Sequence, residues 1–534
     1  MSPETMQPRV RRNDWSALEA PRIGAWEPTL SVSVVIPAYG AQRLLPYVLA
    51  GLAAQTYPSH LLEVVVADDD PRAPLELPEV RPERTRLVRV EDGWGRANAC
   101  HTGVLAAEGD VVHWLDADML VEPDEVEAQL RWHHLIDHAV VLGHKWFVDP
   151  EPLLAREPSG DGRMHETFAA AEKGRHWVED VWDRTDDLRT SGPRALRVHA
   201  GATASLRRAL YDEAGGMDTS LRLGEDVELG YRLAQCGAVF VADREARAWH
   251  LGSSHQQTRQ QEVNDYNRPF LADRVPDLQP QRRQGRSYAV PYLQVVLDTR
   301  GVDAGAVIAT VDAVLASSTH DLVVTLLGDW SALTEERTSP LDDPQRSGRL
   351  VRASYLHEPR VELAESLPDG PGPAMFRLTV PGGSWAPGQH TMATLLLHLE
   401  RTHLGLEQVM LPDGTSVRVE RTAAFARARR VARPGEDLDD VVDELFGSWW
   451  VEGVDAGFRA TADLPPQALR GIATPALEPA TVWRQLSKPD REASEEDAGS
   501  RRRAARPAPP AASPAPGGRS VRGRIGSLLR RRRH

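Results

Sequence analysis

Two acidic residues, Asp116 and Asp118, stand two positions apart, directly after an apolar run and before a stretch of helical periodicity. Two carboxylates on such a turn can hold a divalent cation, and hard oxygen ligands suit Mg²⁺ or Mn²⁺ bridged to a diphosphate. A metal in that position neutralises the charge of a leaving group. We therefore interpret Asp116 and Asp118 as a candidate metal site.

Other acidic residues follow a second predicted strand. Asp68 to Asp70 come directly after the β-branched run 62–67. Ligands of open α/β sheets bind at the carboxyl ends of the strands, so the acids at the two strand ends point to one shared site. A further pair, Glu225 and Asp226, begins a helical segment, where the helix dipole alone would favour negative charge.

The elements that must position these acids alternate between strands and helices. Short β-branched runs predict strands, and apolar residues at helical spacing predict helices. This alternation predicts an α/β fold with a parallel sheet and helices on both faces. The predicted strands are 31–36, 62–67, 86–90 and 110–115, and the first helices are 44–54 and 97–107.

The composition is that of a globular protein of two or three domains. The 534 residues include 63 Lys and Arg, 77 Asp and Glu and 41% hydrophobic residues, with a net charge of -14. Residues 490–534 carry 12 arginines and 5 acidic residues, which leaves -21 for residues 1–489. Such an acidic body argues against a general nucleic-acid binder.

Cysteine content and hydropathy favour a reducing, cytoplasmic setting. Cys100 and Cys236 are the two cysteines of the sequence, too few for a disulfide framework or a zinc site built on cysteines. No run of 18 apolar residues occurs, and the N-terminal residues are polar. We therefore expect neither a signal peptide nor a membrane span.

Shifts in composition divide the chain into segments. Residues 275–287 are rich in Gln, Arg and Pro and are interpreted as a linker, and residues after 485 cannot bury a core and are expected to be disordered. The resulting organisation is an N-terminal extension 1–30, a catalytic domain 31–274 with an inserted flap 150–198 on the acceptor side, the linker 275–287, a second domain 288–484 and a tail 485–534.

The second domain repeats the order of elements in the first. Leu293–Leu297, a helix over 304–316 and a strand over 321–327 parallel the first two strands and the helix between them. Arg349–Arg352 matches Arg86–Arg89, and Gly-Glu-Asp at 435–437 echoes Gly-Glu-Asp at 224–226. Where the first domain has Asp116 and Asp118, the second has Pro381-Gly-Gly383, so a true repeat has lost its metal-binding corner. The alternative is chance similarity between two α/β segments.

Five motifs in order resemble the family 2 glycosyltransferases of the GT-A fold, a mixed sheet flanked by helices. They span residues 31–255 and are Ser33-Val-Val-Ile-Pro-Ala-Tyr39, Val64-Val-Val-Ala-Asp-Asp69, Leu115-Asp-Ala-Asp118, Gly215-Gly-Met-Asp218 and Gly224-Glu-Asp-Val-Glu-Leu-Gly-Tyr-Arg-Leu233. The resemblance implies metal-dependent, inverting transfer of a sugar from a UDP-, GDP- or dTDP-sugar donor to an acceptor hydroxyl.

The resemblance also implies roles for individual residues. Asp69 lies near the base of the donor, as do Pro37 and Tyr39 in the first motif. Asp118 is a metal ligand, and Asp116 contacts ribose or metal. Asp226 is the general base, because an inverting displacement needs a carboxylate within reach of the acceptor hydroxyl. Its neighbour Glu225 orients the base or binds the acceptor.

Two further residues are weaker candidates. His250 stands where several family members place a third metal ligand, although a lone histidine is more often structural. Arg96 could reach the diphosphate, or it is a plain surface arginine. The sequence departs from the family at Ala99-Cys-His-Thr-Gly103, where an Ala-Arg-Asn-x-Gly stretch is common, and it lacks the Gln-x-x-Arg-Trp motif of processive synthases. The first departure puts in doubt a phosphate or sugar contact from that helix. The missing motif, together with the lack of a predicted membrane span, favours limited sugar addition over polymer extrusion.

The end of the sequence suggests a membrane contact. Ile525, Leu528 and Leu529 are mixed with arginines, and such a segment can rest on an anionic leaflet at about 1 kcal/mol per basic residue. A solvated tail is the alternative. Contact would place a cytoplasmic enzyme at the inner face of the cell membrane, beside a glycan or lipid-linked acceptor of cell-envelope or extracellular glycan synthesis.

Two other classes of function remain open from the sequence. One is a catalytically inactive GT-A-like scaffold or binding protein. The other is a sugar-1-phosphate nucleotidyltransferase, which shares the sheet topology. It is disfavoured because Pro37-Ala-Tyr-Gly-Ala41 stands where such enzymes have a Gly-rich loop for triphosphate.

Overall fold

Two mixed β-sheets, one in each half of the chain, share the same strand order. The computed structural model describes residues 6–253, 258–283 and 285–464, which all lie in one compact unit, 1–471. We call the part that carries the first sheet the first copy and the part that carries the second sheet the second copy.

The first copy has nine strands and eight α-helices among the described residues. The strands run in the order β3-β2-β1-β4-β8-β6-β9-β5, and β7 pairs with β6. The strands are β1 Val32–Ala38, β2 Leu62–Asp68, β3 Thr85–Arg89, β4 Val111–Trp114, β5 Met119–Val121, β6 Ala139–Val148, β7 Gly174–Arg175, β8 Ala204–Arg207 and β9 Val239–Leu251. The helices are α1 Leu45–Ala53, α2 Arg96–Ala106, α3 Glu125–His133, α4 Glu151–Leu154, α5 Trp177–Arg184, α6 Arg208–Glu213, α7 Glu225–Gln235 and α8 Gln260–Arg274.

The second copy has a seven-stranded sheet in the order β12-β11-β10-β13-β16-β15-β17 and a separate pair, β14 and β18. The strands are β10 Leu293–Asp298, β11 Leu322–Leu327, β12 Val361–Ala364, β13 Phe376–Val380, β14 Trp385–Pro387, β15 Leu406–Met410, β16 Ser416–Arg421, β17 Ser448–Glu452 and β18 Phe458–Ala460. The helices are α9 Ala304–Leu315, α10 Arg346–Tyr355, α11 Thr391–Thr402, α12 Thr422–Val431 and α13 Leu438–Phe446.

Strand directions establish the duplication. In each copy four neighbouring strands are parallel, β3-β2-β1-β4 in the first and β12-β11-β10-β13 in the second. The next strand is antiparallel in both, and the two strands after it repeat the same directions. The α/β class, the mixed sheet and the repeat are therefore confirmed, and the parallel sheet inferred from alternation describes only those four strands.

The buried strands explain why this sequence forms the sheets. Every residue of β2 is buried, and so are six of the seven residues of β1. Strands covered on both faces by helices need such continuous Val and Ile runs, because neither face meets water. The carboxyl ends of β1, β2 and β4 consequently lie at one edge of the first sheet, where the acids follow.

One predicted element of the second copy is wrong. Arg349–Arg352, expected to be a strand like Arg86–Arg89, lies inside helix α10, and the strand that matches β3 is β12. Val351 is buried and Leu350 is 45% exposed, which is the one-sided pattern of a surface helix. A short apolar pair flanked by arginines fits both a strand and a helix, so the packing around these residues decided that they form a helix.

The N-terminal segment is bound between the copies. Asn13 donates to the carbonyls of Leu188 and Phe240 in the first copy, at 2.9 and 2.8 Å. The Arg12 backbone N–H donates to Leu445 O of the second copy at 2.9 Å. The extension 1–30 therefore contributes residues that contact both copies, which its sequence did not indicate.

The second copy also contacts helix α7 directly. Tyr231 Oη donates to Pro373 O at 2.6 Å, and Gln235 Nε2 donates to Ala374 O at 2.8 Å. From α12, the buried Arg427 guanidinium donates to the carbonyls of Gly237 and Ala238, just after α7. In each of these bonds a side chain donates to a backbone carbonyl, so the contact holds the helix without pairing opposite charges.

Several sequence predictions concern residues outside the description. The tail 485–534 lies there, as do residues 465–484 of the second domain.

No helix among the described residues is long and apolar enough to cross a membrane. The linker region does contain structure, a 3₁₀ segment Pro276–Gln281 whose Asp277 is ion-paired with Arg197. Cys100 and Cys236 are both buried and free.

Candidate active site

Asp118 and His250 are brought together by strand pairing. β5 runs antiparallel to β9, with Met119 opposite His250, and the Leu251 N–H donates to Asp118 O at 2.8 Å. As a result His250 Nε2 lies 3.7 Å from Asp118 Oδ2. The histidine is far from Asp118 in sequence, and the sheet register places it beside the carboxylate.

This pair fits a divalent cation. His250 Nδ1 donates to Gly252 O at 3.1 Å, so Nε2 presents its lone pair towards Asp118. Asp118 Oδ1 is buried and has no hydrogen-bond partner. Burial, with the nearby charge of Asp116, raises the pKa of Asp118. Among the described residues no group of three or more His, Cys, Asp or Glu forms a complete cage, so a bound metal would take further oxygens from diphosphate or water.

Arg96 links the two acidic pairs. Its Nε and Nη2 donate to Asp116 Oδ1 at 3.0 and 2.8 Å, and its Nη1 donates to Glu225 Oε1 at 2.8 Å. Burial opposes ionisation of Asp116, but Arg96 outweighs it and the pKa of Asp116 is lowered. Arg96 begins α2 after Gly95, whose φ of 94° favours glycine. It is therefore not a plain surface arginine.

The two members of the second pair have different surroundings. Glu225 is 4% exposed, and burial raises its pKa although Arg96 opposes the shift. Asp226 lines a cleft, and its Oδ1 accepts only the Val227 N–H at 2.8 Å. Asp226 Oδ2 accepts no hydrogen bond from any described residue. Glu225 is thus committed to Arg96, and Asp226 is the acid with a carboxylate oxygen left for a ligand.

The cleft beside Asp226 has a volume of about 600 Å³. It is formed by the flap, β6, the start of α7 and helix α8. Five of the predicted site residues line it, namely Arg96, Asp116, Glu225, Asp226 and His250. Asp118 does not line the cleft itself but lies beside His250, which does. The structure therefore brings the two acidic pairs and the histidine into one site.

The remaining predicted residues lie at strand ends outside this lining. Asp69 follows β2, and its Oδ2 accepts the Gly95 N–H at 2.6 Å. Pro37 is in β1, and Tyr39 just after it is 61% exposed and contacts Arg72. Asp69 is joined to the cleft through Gly95, which precedes Arg96. These residues stay predictions as donor contacts.

Residues 33–212 match the family model described as Glycosyl transferase family 2. Over these residues the chain is similar to the family 2 glycosyltransferases. The match spans the first four parallel strands, the Asp116 and Asp118 turn and the flap. It confirms the family resemblance drawn from the motifs, of which the last two, at 215–218 and 224–233, lie beyond the matched residues.

Curated relatives extend the family match. Validoxylamine A glucosyltransferase of Streptomyces hygroscopicus subsp. limoneus is 30% identical over 268 residues, 47% of this chain and 57% of that protein. Chondroitin synthase of Escherichia coli is 23% identical over 375 residues, 64% of this chain and 51% of that protein. The chain spans about half the length of these relatives. The solved mannosyltransferase PcManGT from Pyrobaculum calidifontis, in complex with GDP-Man and Mn²⁺, is 17% identical over 48% of this chain and 66% of that chain, with a TM-score of 0.31.

Sequence reasoning missed several residues that line the cleft. Lys145 in β6 is 8% exposed, donates to Ala202 O, and has a pKa lowered to about 8 by burial. His199 Nδ1 donates to Asp226 O at 2.6 Å. Asn267 comes from α8, for which no helix was predicted. A lysine inside an otherwise apolar strand was the available signal, whereas the other two depend on tertiary contacts.

Proposed function

We propose that the cleft transfers a sugar from a nucleoside-diphosphate sugar to an acceptor hydroxyl with inversion at the sugar carbon. The observation that carries this is the division of the second acidic pair, in which Glu225 is paired with Arg96 while Asp226 keeps Oδ2 for a ligand. A hydroxyl hydrogen-bonded to Asp226 Oδ2 has its general base in place.

The chemical step balances without any redox partner. The acceptor oxygen forms a bond to the anomeric carbon as the bond from that carbon to the diphosphate oxygen breaks. Asp226 Oδ2 takes the hydroxyl proton, and the nucleoside diphosphate leaves with the electron pair of the broken bond. Attack from the side opposite the leaving group inverts the anomeric configuration.

The donor side of the site is proposed from the strand ends. Asp69, Pro37 and Tyr39 stand at the carboxyl ends of β2 and β1, where they would contact the base, and Asp116 would contact ribose or metal. Arg96 is held by carboxylates on both sides, so its guanidinium is preorganised to meet an incoming phosphate. UDP-, GDP- and dTDP-sugars are the donor candidates.

Mg²⁺ or Mn²⁺ is the proposed cofactor. The donor set of Asp118, Asp116 and His250 suits either ion, and the orphaned Asp118 Oδ1 supports a cation in this position. When bound, the metal would neutralise the charge of the diphosphate leaving group. Lys145 adds a second positive charge near the same acids, which offsets the negative charge of the site before a ligand binds.

The second copy is proposed as a scaffold for α7. Its contacts reach Tyr231, Gln235 and the residues just after the helix, while Asp226 lies in the first turn of the same helix. A helix held at its C-terminal end presents its N-terminal residues in a constant position. The similar proteins include a glycan synthase. We therefore propose that the enzyme is cytoplasmic and that its acceptor belongs to cell-envelope or extracellular glycan synthesis.

Thermal unfolding with a panel of nucleotide sugars tests the proposal. UDP-glucose, GDP-mannose and dTDP-glucose would be added with and without Mn²⁺, and one should stabilise the protein, by about 2.7 kcal/mol at 100 times its Kd. Asp118→Ala should lose the Mn²⁺-dependent part. Asp329→Ala, which changes a strand-end acid of the second copy, should keep it.

Hydrolysis of the stabilising nucleotide sugar would then be followed in the same proteins. Release of the nucleoside diphosphate separates an enzyme from an inactive scaffold. Formation of nucleoside triphosphate and sugar 1-phosphate when pyrophosphate is added to the nucleotide sugar would point to a nucleotidyltransferase. A protein that no nucleotide sugar stabilises would contradict the proposed donor class.

A further inference from the structure

A row of aromatic rings leads from the candidate metal ligand to the mouth of the cleft. The ring centroids of His250 and Phe147 are 4.7 Å apart, those of Phe147 and His176 are 5.8 Å apart, and those of His176 and Trp177 are 5.7 Å apart. All four side chains line the cleft. We call these four residues the aromatic wall.

Trp177 is the exposed end of the aromatic wall. Its side chain is 49% exposed, whereas Phe147 is buried. A ligand that covers a half-exposed aromatic ring gains free energy, because apolar surface is removed from water. The aromatic wall therefore offers an open, flat apolar surface in a cleft that also carries charged and amide groups.

The position of Trp177 is held by the sheet. β7 pairs with β6 so that Gly174 lies opposite Phe147, and α5 begins three residues later. Glu179 in the first turn of α5 pairs with His144 at 3.2 Å and with Arg175 at 3.2 Å. The flap segment that carries Trp177 is thus tied to a central strand at both sides of the ring.

Helix α8 adds both polar and apolar side chains to the lining of the cleft. The polar ones are Asn264, Asn267 and Arg268, and the apolar ones are Val263 and Leu271. Asn267 lies over Gly224, the residue before Glu225 and Asp226, and its Oδ1 is buried without a hydrogen-bond partner. A ligand in this cleft would therefore meet aromatic rings, amide groups and the Asp226 carboxylate.

We propose that this cleft holds a polyhydroxylated six-membered ring as the acceptor, with its C–H face on Trp177 and its hydroxyls towards α8 and Asp226. A pyranoside or a cyclitol has this chemistry, because its axial C–H groups form an apolar face while its edge carries hydroxyls. An open-chain polyol lacks the flat face. The inference rests on the proposed transfer function and adds the acceptor class and its binding surface.

Ligand-observed saturation-transfer NMR on the full chain tests the proposal. The probes are methyl β-D-glucopyranoside, a six-membered ring, and sorbitol, an open-chain polyol. The proteins are wild type, Trp177→Ala, Trp177→Phe and Trp449→Ala. Trp449 is 53% exposed in the second copy and serves as the matched control.

The pyranoside should receive saturation from wild type, Trp177→Phe and Trp449→Ala, and its affinity should fall about three- to tenfold in Trp177→Ala, as expected for a lost ring stack. Sorbitol should receive little from any protein. Equal pyranoside binding by wild type and Trp177→Ala, an equal loss in Trp449→Ala, equal sorbitol binding, or no pyranoside binding by wild type would each overturn the acceptor assignment.

Nucleotide-sugar stabilisation measured in the same four proteins separates this inference from the proposed function. If stabilisation persists while pyranoside binding does not depend on Trp177, the acceptor surface is wrong and the donor site stands. If Trp177→Ala binds pyranoside weakly but no protein responds to nucleotide sugars, the ring-binding surface stands and the transfer function is wrong.

Discussion

The two copies share strand order and direction but differ at the edge where the first carries its acids. In the first copy Asp116 and Asp118 follow β4, and Asp116 lines a cleft. In the second copy Pro381 to Gly383 follow β13, and Gly383 packs so closely on α9 that a Cβ there would lie 3.3 Å from Val307 N. The corner that could hold a metal in one copy is closed by helix packing in the other.

The other site elements differ in the same way. Asp329 follows β11 as Asp69 follows β2, but it is ion-paired with Arg300 at 2.8 Å. Residues 149–203, which include the flap, join β6 to β8, whereas residues 411–415 join the matching strands β15 and β16. The first copy has α2 and Arg96 before β4, and the second has a loop whose Pro373 and Ala374 carbonyls hold α7. The same fold therefore carries a candidate site in the first copy and holds α7 from the second copy. We call the hydrogen bonds of Tyr231, Gln235 and Arg427 between the two copies the brace.

Equivalent aspartates provide the largest expected contrast. Asp226→Asn should lower turnover about 10²- to 10⁴-fold, because it removes the proposed general base, while nucleotide-sugar stabilisation persists. Asp437 occupies the same place in the second copy and only caps α13, accepting from the Asp439 N–H at 2.8 Å. Asp437→Asn should leave turnover unchanged, since Asn caps as well as Asp. Steady-state kinetics would contradict the contrast if both variants lost or kept activity together.

The brace gives the next largest effect. Arg427→Ala should destabilise the protein by about 3 kcal/mol, because the buried carbonyls of Gly237 and Ala238 lose their donors. Denaturant unfolding measures the change. Arg429→Ala, on the exposed face of the same helix, is the control and should change stability by less than about 0.5 kcal/mol. Equal values for the two variants would remove Arg427 from the brace.

A single hydrogen bond of the brace should matter less. Tyr231→Phe removes the bond to Pro373 O and should cost about 1.5 kcal/mol. If the brace positions Asp226 through α7, kcat should also fall while nucleotide-sugar affinity is kept. Tyr266→Phe on α8, where the side chain is 43% exposed, is the matched control for both readouts. A change in stability without any change in kcat would leave Tyr231 a purely structural contact.

A pH effect of the interface should be the smallest. Burial, together with the charges of Arg427 and Arg430 from the second copy, lowers the pKa of His138 to about 4, although Asp137 opposes the shift. The unfolded chain takes up this proton near pH 6.5 and the folded protein does not, so stability falls as pH decreases from 6.5 towards 4. About 1 kcal/mol should be lost between pH 6.5 and 5.5.

Variants isolate that contribution. His138→Gln should flatten the decrease in stability between pH 6.5 and 5.5, and His60→Gln at an exposed position should not. An unchanged slope in His138→Gln would show that other groups cause the pH dependence.

Much of the fold could be predicted because its signals are local. The β-branched runs of β1 and β2 and the helical spacing of α1 and α2 are properties of neighbouring residues. The patterns of β1, α1 and β2 recur in that order in the second copy as β10, α9 and β11. Arg349–Arg352 failed because a short apolar pair between arginines has no distinct period. Helix α8 was missed because its polar sequence, with Pro269 inside it, has only a weak apolar stripe.

The site divides in the same manner. That Asp116, Asp118, Glu225 and Asp226 are candidates follows from residue type and from strand ends that share one edge. Which acid of the second pair is available depends on Arg96, whose side chain arrives from another element and pairs with Glu225. The sequence by itself determined the α/β class, the duplication, the loss of acids in the second copy and the family motifs. Four other features depend on contacts between segments distant in sequence, so they appear only in the folded protein. His250 lies beside Asp118, and Asp226 Oδ2 accepts no hydrogen bond from the described residues. Trp177 opens into the cleft, and the N-terminal segment contacts both copies.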